Sequence, residues 1–130
     1  MQKTGVAIVV SILICFQTTA LFGGNEPYAC KMVQQIKIQM NVASDNLENA
    51  ETTRSREGGP YKRKIVYCSD AGCEITAIPG SRMVYNPSHP DADNDGMVAF
   101  PKVDPNAEMS AITGLQHSLE WAQAECKKRN

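Results

Sequence analysis

Residues 42–61 read VASDNLENAETTRSREGGPY, and within them the chain changes from one kind of structure to another. Apolar side chains that lead into this stretch recur at steps of four, four, three and four residues, which is the spacing of one helix face: Met32, Ile36, Met40, Ala43 and Leu47. Gly58-Gly59-Pro60 then interrupts any regular structure. The stretch therefore predicts the end of an amphipathic helix over residues 27–50, followed by a sharp turn.

A second helix is predicted over residues 105–128. Asp104 is a good N-cap residue and Pro105 is suited to the first helical position. Apolar positions again share one face: Met109, Ile112, Leu115, Leu119, Ala122 and Cys126. Two helices of similar length near the two ends of the chain are expected to pack antiparallel, so that the start of the first meets the end of the second.

Short β-prone runs fill the region between the helices. Lys64–Tyr67 and Cys73–Ile78 predict a hairpin, and Met83–Tyr85 is a candidate third strand. Met97–Phe100 is a short apolar run that Pro101 ends. The predicted fold class is α+β, with two antiparallel terminal helices that enclose a small middle part rich in β-hairpin.

The first residues have the pattern of an export signal. Lys3 precedes the apolar run Val6–Phe16, and the small residues that follow would allow cleavage after Ala20 or Gly23. Residues 1–23 are therefore predicted to be a signal peptide, with residues 5–23 as an uncleaved membrane anchor in the alternative. Residues 24–130 have the length of one domain.

Cysteine usage fits an exported protein. Without Cys15, which lies in the signal-like segment, four cysteines remain, and an even number in a small exported domain predicts two disulfides. Cys68 and Cys73 flank a turn-like tetrapeptide, and antiparallel helices would bring Cys30 close to Cys126. The spacing gives no C-x-x-C pair or histidine ligand pattern, so no metal site is predicted.

Other functional classes receive little support. The net charge of −1 gives no basic surface for nucleic acid. Residues 91–96, DADNDG, match the first half of a calcium loop, but Lys102 stands where such a loop needs a bidentate glutamate, so a solvated turn is favoured. His89 and His117 belong to no catalytic motif. We expect no enzymatic activity, no cofactor and no small-molecule substrate.

Two stretches together resemble one family. The first is residues 42–61, and the second runs from Tyr85-Asn86-Pro87-Ser88-His89-Pro90 through Gly96 and Pro101-Lys102-Val103 to Glu108-Met109. Both are similar to signatures of bacterial flagellar basal-body rod proteins, and among them of the proximal-rod C component. The resemblance covers about residues 35–123.

The resemblance implies a structural subunit of the basal-body rod, which acts in the periplasm by helical self-assembly and by contacts with other rod subunits. It implies no catalytic residue. It marks ten signature positions for assembly: Asn46, Asn49, Thr53, Gly59, Pro60, Tyr61, Tyr85, Pro87, His89 and Pro90. A second interpretation stays open because of the signal and the cysteines, namely a diverged monomeric periplasmic accessory or binding protein with the same fold.

Positive charge concentrates around the Gly-Gly-Pro turn, at Arg54, Arg56 and residues 62–64. Such a run is usually a solvated loop. Its functional interpretation is a contact with an acidic groove on a neighbouring subunit.

Overall fold

The computed structural model describes residues 27–128. Two helices and four strands follow one another along the chain: α1 Tyr28–Glu48, β1 Lys64–Ser69, β2 Gly72–Ala77, β3 Ser81–Tyr85, β4 Met97–Pro101 and α2 Pro105–Lys127. This order confirms the α+β fold class. The predicted signal peptide or anchor lies outside the described residues. Within residues 27–128, neither helix combines the length and the apolar content that a membrane crossing needs.

The two helices pack antiparallel and form the main core. Val33, Ile36 and Ala122 are buried at its centre. Partly buried apolar side chains surround them: Met32, Met40, Leu115, Leu119 and Cys126. The Asp104 side chain caps α2 by accepting hydrogen bonds from the backbone N–H groups of Asn106 and Ala107, as the Asp-Pro start predicts.

The buried faces differ from the predicted apolar stripes at two places. On α1 the buried side also includes Val42 and Asn46, because this helix contacts β1 and β2 as well as α2. On α2 Met109 is 55% exposed, since Glu108 takes the buried position in the first turn. At Asn46 and Glu108, polar side chains with hydrogen-bond partners occupy buried positions that the apolar pattern does not mark.

The middle of the chain forms two separate antiparallel hairpins. In the first, β1 pairs with β2 across the two-residue turn Asp70-Ala71, with Cys68 opposite Cys73. In the second, β3 pairs with β4, with Val84 opposite Val98. The sequence predicted the first hairpin and only a candidate third strand. The run that Pro101 ends is in fact β4, which buries Val98 and Phe100.

The first hairpin lies along α1 with the free edge of β1 against the helix. Lys31 Nζ donates to the Asp70 carbonyl at 2.6 Å, and Gln35 Nε2 donates to the Ser69 carbonyl at 2.9 Å. Further along, Asn46 reaches Lys64. The partners step backward along β1 as the helix advances, so the strand runs antiparallel to α1.

Two disulfides close the structure. One joins Cys30 to Cys126, with the Cα atoms 4.8 Å apart and 96 residues between them in sequence. The other joins Cys68 to Cys73 across the first hairpin. These are the two pairs expected from the sequence. The first ties the start of α1 to the end of α2, and the second holds the register next to the hairpin turn.

Candidate functional site

Asn46 connects α1 to the start of the first hairpin. Its side chain is 1% exposed. The amide Nδ2 donates to the Lys64 carbonyl at 2.8 Å, and Oδ1 accepts from the Lys64 backbone N–H at 2.8 Å and from the Tyr61 hydroxyl at 3.0 Å. The amide thus replaces the two backbone bonds that a neighbouring strand would make with Lys64. Because all three bonds are made in a buried place, this polar side chain fixes how the hairpin docks on the helix.

Two titratable groups beside Asn46 are perturbed. Burial raises the pKa of the Tyr61 phenol, against the opposing effect of the nearby Lys64 ammonium, and Asp45 adds to the rise. The pKa of Lys64 is raised chiefly by its hydrogen bond to the Asp45 carboxylate, which accepts from Nζ at 3.2 Å. At neutral pH the phenol is therefore a neutral donor to Asn46.

The two signature stretches meet through Asp91. Thr53 Oγ1 donates to Asp91 Oδ2 at 2.7 Å, and Arg54 forms an ion pair with Asp91 Oδ1. The hydrogen bond from Thr53 and then the Arg54 guanidinium hold the pKa of Asp91 below its ordinary value. The Asp91 side chain is only 20% exposed. We call this contact of Thr53, Arg54 and Asp91 the junction.

The loop between β3 and β4 is internally bonded around the junction. His89 Nδ1 accepts from the Asp91 backbone N–H at 3.0 Å, and its ring meets Phe100 edge-on at 5.8 Å between centroids. Gly96 has a φ of +73°, and a Cβ there would lie 2.9 Å from Tyr85 Cε2 and 3.0 Å from Pro87 Cβ. Only glycine therefore lets Tyr85 and Pro87 pack against this backbone.

Some of the ten signature positions contact residues of another segment, and the others do not. Asn46 contacts Tyr61 directly, and Thr53 reaches the loop that carries His89 and Pro90. Asn49 bonds locally: it donates to the Asp45 carbonyl and accepts from Thr52. The structure does not bring the others into this network. Gly59 and Pro60 form the turn after α1, where the Gly59 carbonyl accepts from Ser55, and Tyr85 is 69% exposed.

The basic run is largely paired within the chain. Arg54 contacts Asp91, Arg63 contacts Glu108, Lys64 contacts Asp45, and Lys62 lies 4.0 Å from Glu57. Because four of its cations already have acidic partners, the run carries less free charge than its sequence suggests. Its main role in the structure is to tie the segment after α1 to the rest of the fold.

One ion pair between a buried carboxylate and a partly exposed guanidinium could not be predicted from the sequence. Glu108 is 3% exposed, and its Oε1 accepts from Arg63 Nε at 2.7 Å. The sequence indicated only that Glu108 suits the first turn of a helix. Arg63 and Glu108 also line a cleft of about 500 Å³ together with Ile78, Pro79, Arg82 and Val103. A charged residue in the first helical turn gives no sign of its partner 45 residues away.

Among residues 27–128 no group of three or more histidine, cysteine, aspartate or glutamate side chains is arranged to hold a metal ion. Asp93, from the sequence that resembles a calcium loop, instead accepts backbone N–H bonds from Asp95 and Met97. The polar groups of the site are thus used for holding three segments together: the end of α1, the first hairpin and the β3–β4 loop.

Comparison with known proteins gives one consistent result. No protein-family model matches the chain. Among curated proteins, the chain is 31% identical over 112 positions to the "Flagellar basal-body rod protein FlgC" of Bacillus subtilis, with 65% of this chain and 75% of that protein covered. The proteins of the same name from Aquifex aeolicus and Salmonella typhimurium are 32% and 35% identical over 98 positions, with 65% and 63% of this chain and 71% and 73% of those proteins covered.

Proposed function

Because this chain belongs to the FlgC family of flagellar basal-body rod proteins, we propose that it is an exported structural subunit of the basal-body rod. It would act by helical self-assembly and by contacts with other rod subunits, in bacterial motility. A structural role in the flagellar basal body is supported by the relatives, which all carry the same name. We propose no catalytic activity and no cofactor.

The surface of α2 is the observation that carries the assembly part of the proposal. Only Glu108 and Ala122 of its 23 residues are buried, and all the packing of α2 against another element is with α1. Trp121 is 56% exposed, and Met109 is exposed to a similar degree. A long helix that is covered on one side by one partner leaves a wide surface for neighbouring subunits. Three signature positions support it indirectly, because the hydrogen bonds of Asn46, Tyr61 and Thr53 hold the first hairpin and the β3–β4 loop to the end of α1 and the segment that follows it.

Fractionation of flagella tests the proposal. Basal bodies purified from cells that express the chain are expected to contain it in a fixed ratio to the other rod proteins, as measured by quantitative mass spectrometry. A matched comparison uses Asn46→Ala, which disturbs the docking of the hairpin, and Asn49→Ala, which removes only local bonds at the end of α1. We expect incorporation to fall for the first variant and to persist for the second. Basal bodies without the protein, from cells that make and export it, would contradict the rod role.

A second candidate is a monomeric periplasmic accessory or binding protein. The two disulfides favour it, because such bonds persist in oxidising compartments and staple small exported domains. If this candidate is right, the protein is found in the soluble periplasmic fraction and elutes as a monomer in size-exclusion chromatography. Mapping the mature N-terminus in the same fraction tests cleavage after Ala20 or Gly23, and non-reducing peptide mapping tests both disulfides.

A further inference from the structure

Each hairpin has two outer strand edges, and among the residues that the structure describes one edge of each is covered while the other has free backbone groups. The edge of β1 is covered by α1, where the Asn46 amide binds both backbone groups of Lys64. The edge of β4 is covered at Met97, whose N–H donates to Asp93 Oδ1 and whose carbonyl accepts from the Asp93 N–H. It ends at Pro101, which has no N–H to offer. Natural proteins protect exposed edges in these ways against pairing with another chain.

The edge of β2 has no such protection. Ile78 N–H donates to the Arg63 carbonyl at 2.7 Å, which shows that the even-numbered residues of this strand face β1. In an antiparallel pair the alternate residues then point their backbone groups away, namely Cys73, Ile75 and Ala77. Within residues 27–128 these outward groups make no hydrogen bond. Ile75 is also 52% exposed.

The edge of β3 has the same character. Asn86 N–H donates to the Gly96 carbonyl at 2.8 Å, so the even-numbered residues of β3 face β4. Ser81, Met83 and Tyr85 therefore point their backbone groups outward, and in the described part of the chain these groups also make no hydrogen bond. Met83 is 53% exposed. The chain thus presents two bare edges with three outward-pointing residues each.

We propose that these two edges bind each other between copies, so that β2 of one copy pairs antiparallel with β3 of the next. This inference rests on the proposed structural role and names one of its contacts. The register that uses all outward groups places Cys73 opposite Tyr85, Ile75 opposite Met83 and Ala77 opposite Ser81. Such strand addition supplies backbone hydrogen bonds for affinity and side-chain contacts for specificity.

The side chains of the two strands are complementary in this register. Ile75 and Met83, both about half exposed, become cross-strand neighbours and cover each other. Glu74 is the single charged residue of β2 and Arg82 the single charged residue of β3. They become diagonal neighbours of opposite sign, and Glu74 would add to the contact that Arg82 already makes with Glu51 at 3.1 Å. Because the two edges are different surfaces, a copy that has paired through one edge still has the other edge free, so the contact joins copies head to tail into an open chain or a ring.

Proline at an outward position tests the contact. The N–H groups of Ile75 and Met83 are not used within the hairpins, and edge strands tolerate proline at such positions. The exported protein, purified from cells, is expected to associate with rising concentration in sedimentation velocity. Ile75→Pro and Met83→Pro are each expected to weaken association by roughly tenfold or more, from the lost hydrogen bonds. Ile75→Val and Met83→Leu keep the N–H and serve as matched controls that retain association.

Mixing the two proline variants identifies the geometry. Ile75→Pro keeps a working β3 edge and Met83→Pro a working β2 edge, so the mixture should form a heterodimer and nothing larger. Strand addition between two identical edges would instead let one variant dimerise alone, namely Met83→Pro for a contact between two β2 edges and Ile75→Pro for a contact between two β3 edges. In the wild-type protein, hydrogen exchange should show the amides of Cys73, Ile75 and Met83 gaining protection with concentration, which does not depend on how the variants fold.

A wild-type protein that remains monomeric up to its solubility limit, or outward amides that stay unprotected in the associated form, would overturn the inference. Either result leaves the basal-body fractionation unaffected, because that experiment asks where the protein is located in the cell. Conversely, the purified protein could still associate with rising concentration even if basal bodies do not contain the protein. The failure of the strand contact and the failure of the rod role can thus be told apart.

Discussion

Asn46 is a buried amide at a position where helical periodicity favours an apolar side chain. The resemblance to rod proteins marked it as a signature position, but periodicity placed Leu47 on the buried stripe. Its role could not be predicted from the sequence because its partners, Tyr61 and Lys64, come from a different segment. A single polar residue that satisfies three groups at once is visible only when the chain is folded.

Substitution of Asn46 tests how much this amide contributes. Asn46→Ala leaves the backbone N–H and carbonyl of Lys64 without partners in a partly buried place. We expect the free energy of unfolding to fall by about 3 kcal/mol, from the cost of unpaired buried polar groups. Tyr61→Phe removes only one of the three bonds and should cost about 1 kcal/mol. Urea denaturation measures both, and equal losses for the two variants would contradict the account.

Asp91 makes the junction sensitive to acid. Its pKa is lowered in the folded protein, first by the hydrogen bond from Thr53 and then by Arg54. A carboxylate with a lowered folded pKa adds stability above its ordinary pKa, about 3.9. That contribution is lost as the pH falls through the folded value. We expect the Asp91 carboxyl signal in an NMR titration to move at a lower pH than an unperturbed carboxyl, and Thr53→Val to shift the midpoint upward.

The matched control is Asp91→Asn, which keeps the size of the side chain and removes the titration. Its stability should change less with pH between neutral and acid than that of the wild-type protein. An Asp91 midpoint that does not move when Thr53 loses its hydroxyl would show that the hydrogen bond is not the main cause.

Helices and strands could be predicted where capping or turn residues beside them mark their ends. The Asp104-Pro105 start of α2 and the turn-flanked first hairpin were predicted because caps and turns depend on neighbouring residues. The second hairpin was only half predicted, since β3 and β4 are joined by a loop of eleven residues whose bonds, such as those of Asp93, are not visible as a pattern. Strand pairing over such a loop depends on tertiary contacts.

The Arg63–Glu108 ion pair joins the start of the first hairpin to α2. Glu108 is almost fully buried, so Arg63→Met would leave an unpaired buried carboxylate. We expect a loss of about 2 kcal/mol in the free energy of unfolding, less than for a fully buried pair, because the Arg63 side chain is 37% exposed and water reaches it. The double variant Arg63→Met with Glu108→Met should recover most of it. Calorimetry of the single and double variants measures the coupling, and additive losses would argue against a buried pair.

At the scale of the whole molecule, the helix pair and the long-range disulfide were predictable together. Antiparallel helices near both ends bring Cys30 and Cys126 close without knowledge of anything between them. The candidate site was less predictable. Its signature positions came from a resemblance to rod proteins, whereas the partners Asp91 and Glu108 emerged only from the structure, because neither has a sequence pattern that points to a residue dozens of positions away.

The two disulfides are expected to contribute unequally. Cys30 and Cys126 are 96 residues apart, and a disulfide that closes a loop of that length raises the free energy of the unfolded chain by about 4.7 kcal/mol through lost entropy. Cys68 and Cys73 are 5 residues apart, and their loop raises it by about 2 kcal/mol. Replacing both cysteines of a pair by serine should therefore lower the melting temperature more for the first pair. Thermal unfolding followed by circular dichroism measures the difference. A larger loss from the hairpin pair would indicate that local register outweighs the restriction of the unfolded chain.

The position of Cys30 and Cys126 also determines how the molecule responds to a pull. A force applied at residues 27 and 128 enters the chain within three residues of each sulfur and passes directly through the covalent bond. The helices, both hairpins and the junction lie in the closed loop of chain between them, so tension on the ends does not stretch them. With the bond reduced, the same tension would be carried by the packing between α1 and α2, and the described segment would become extensible.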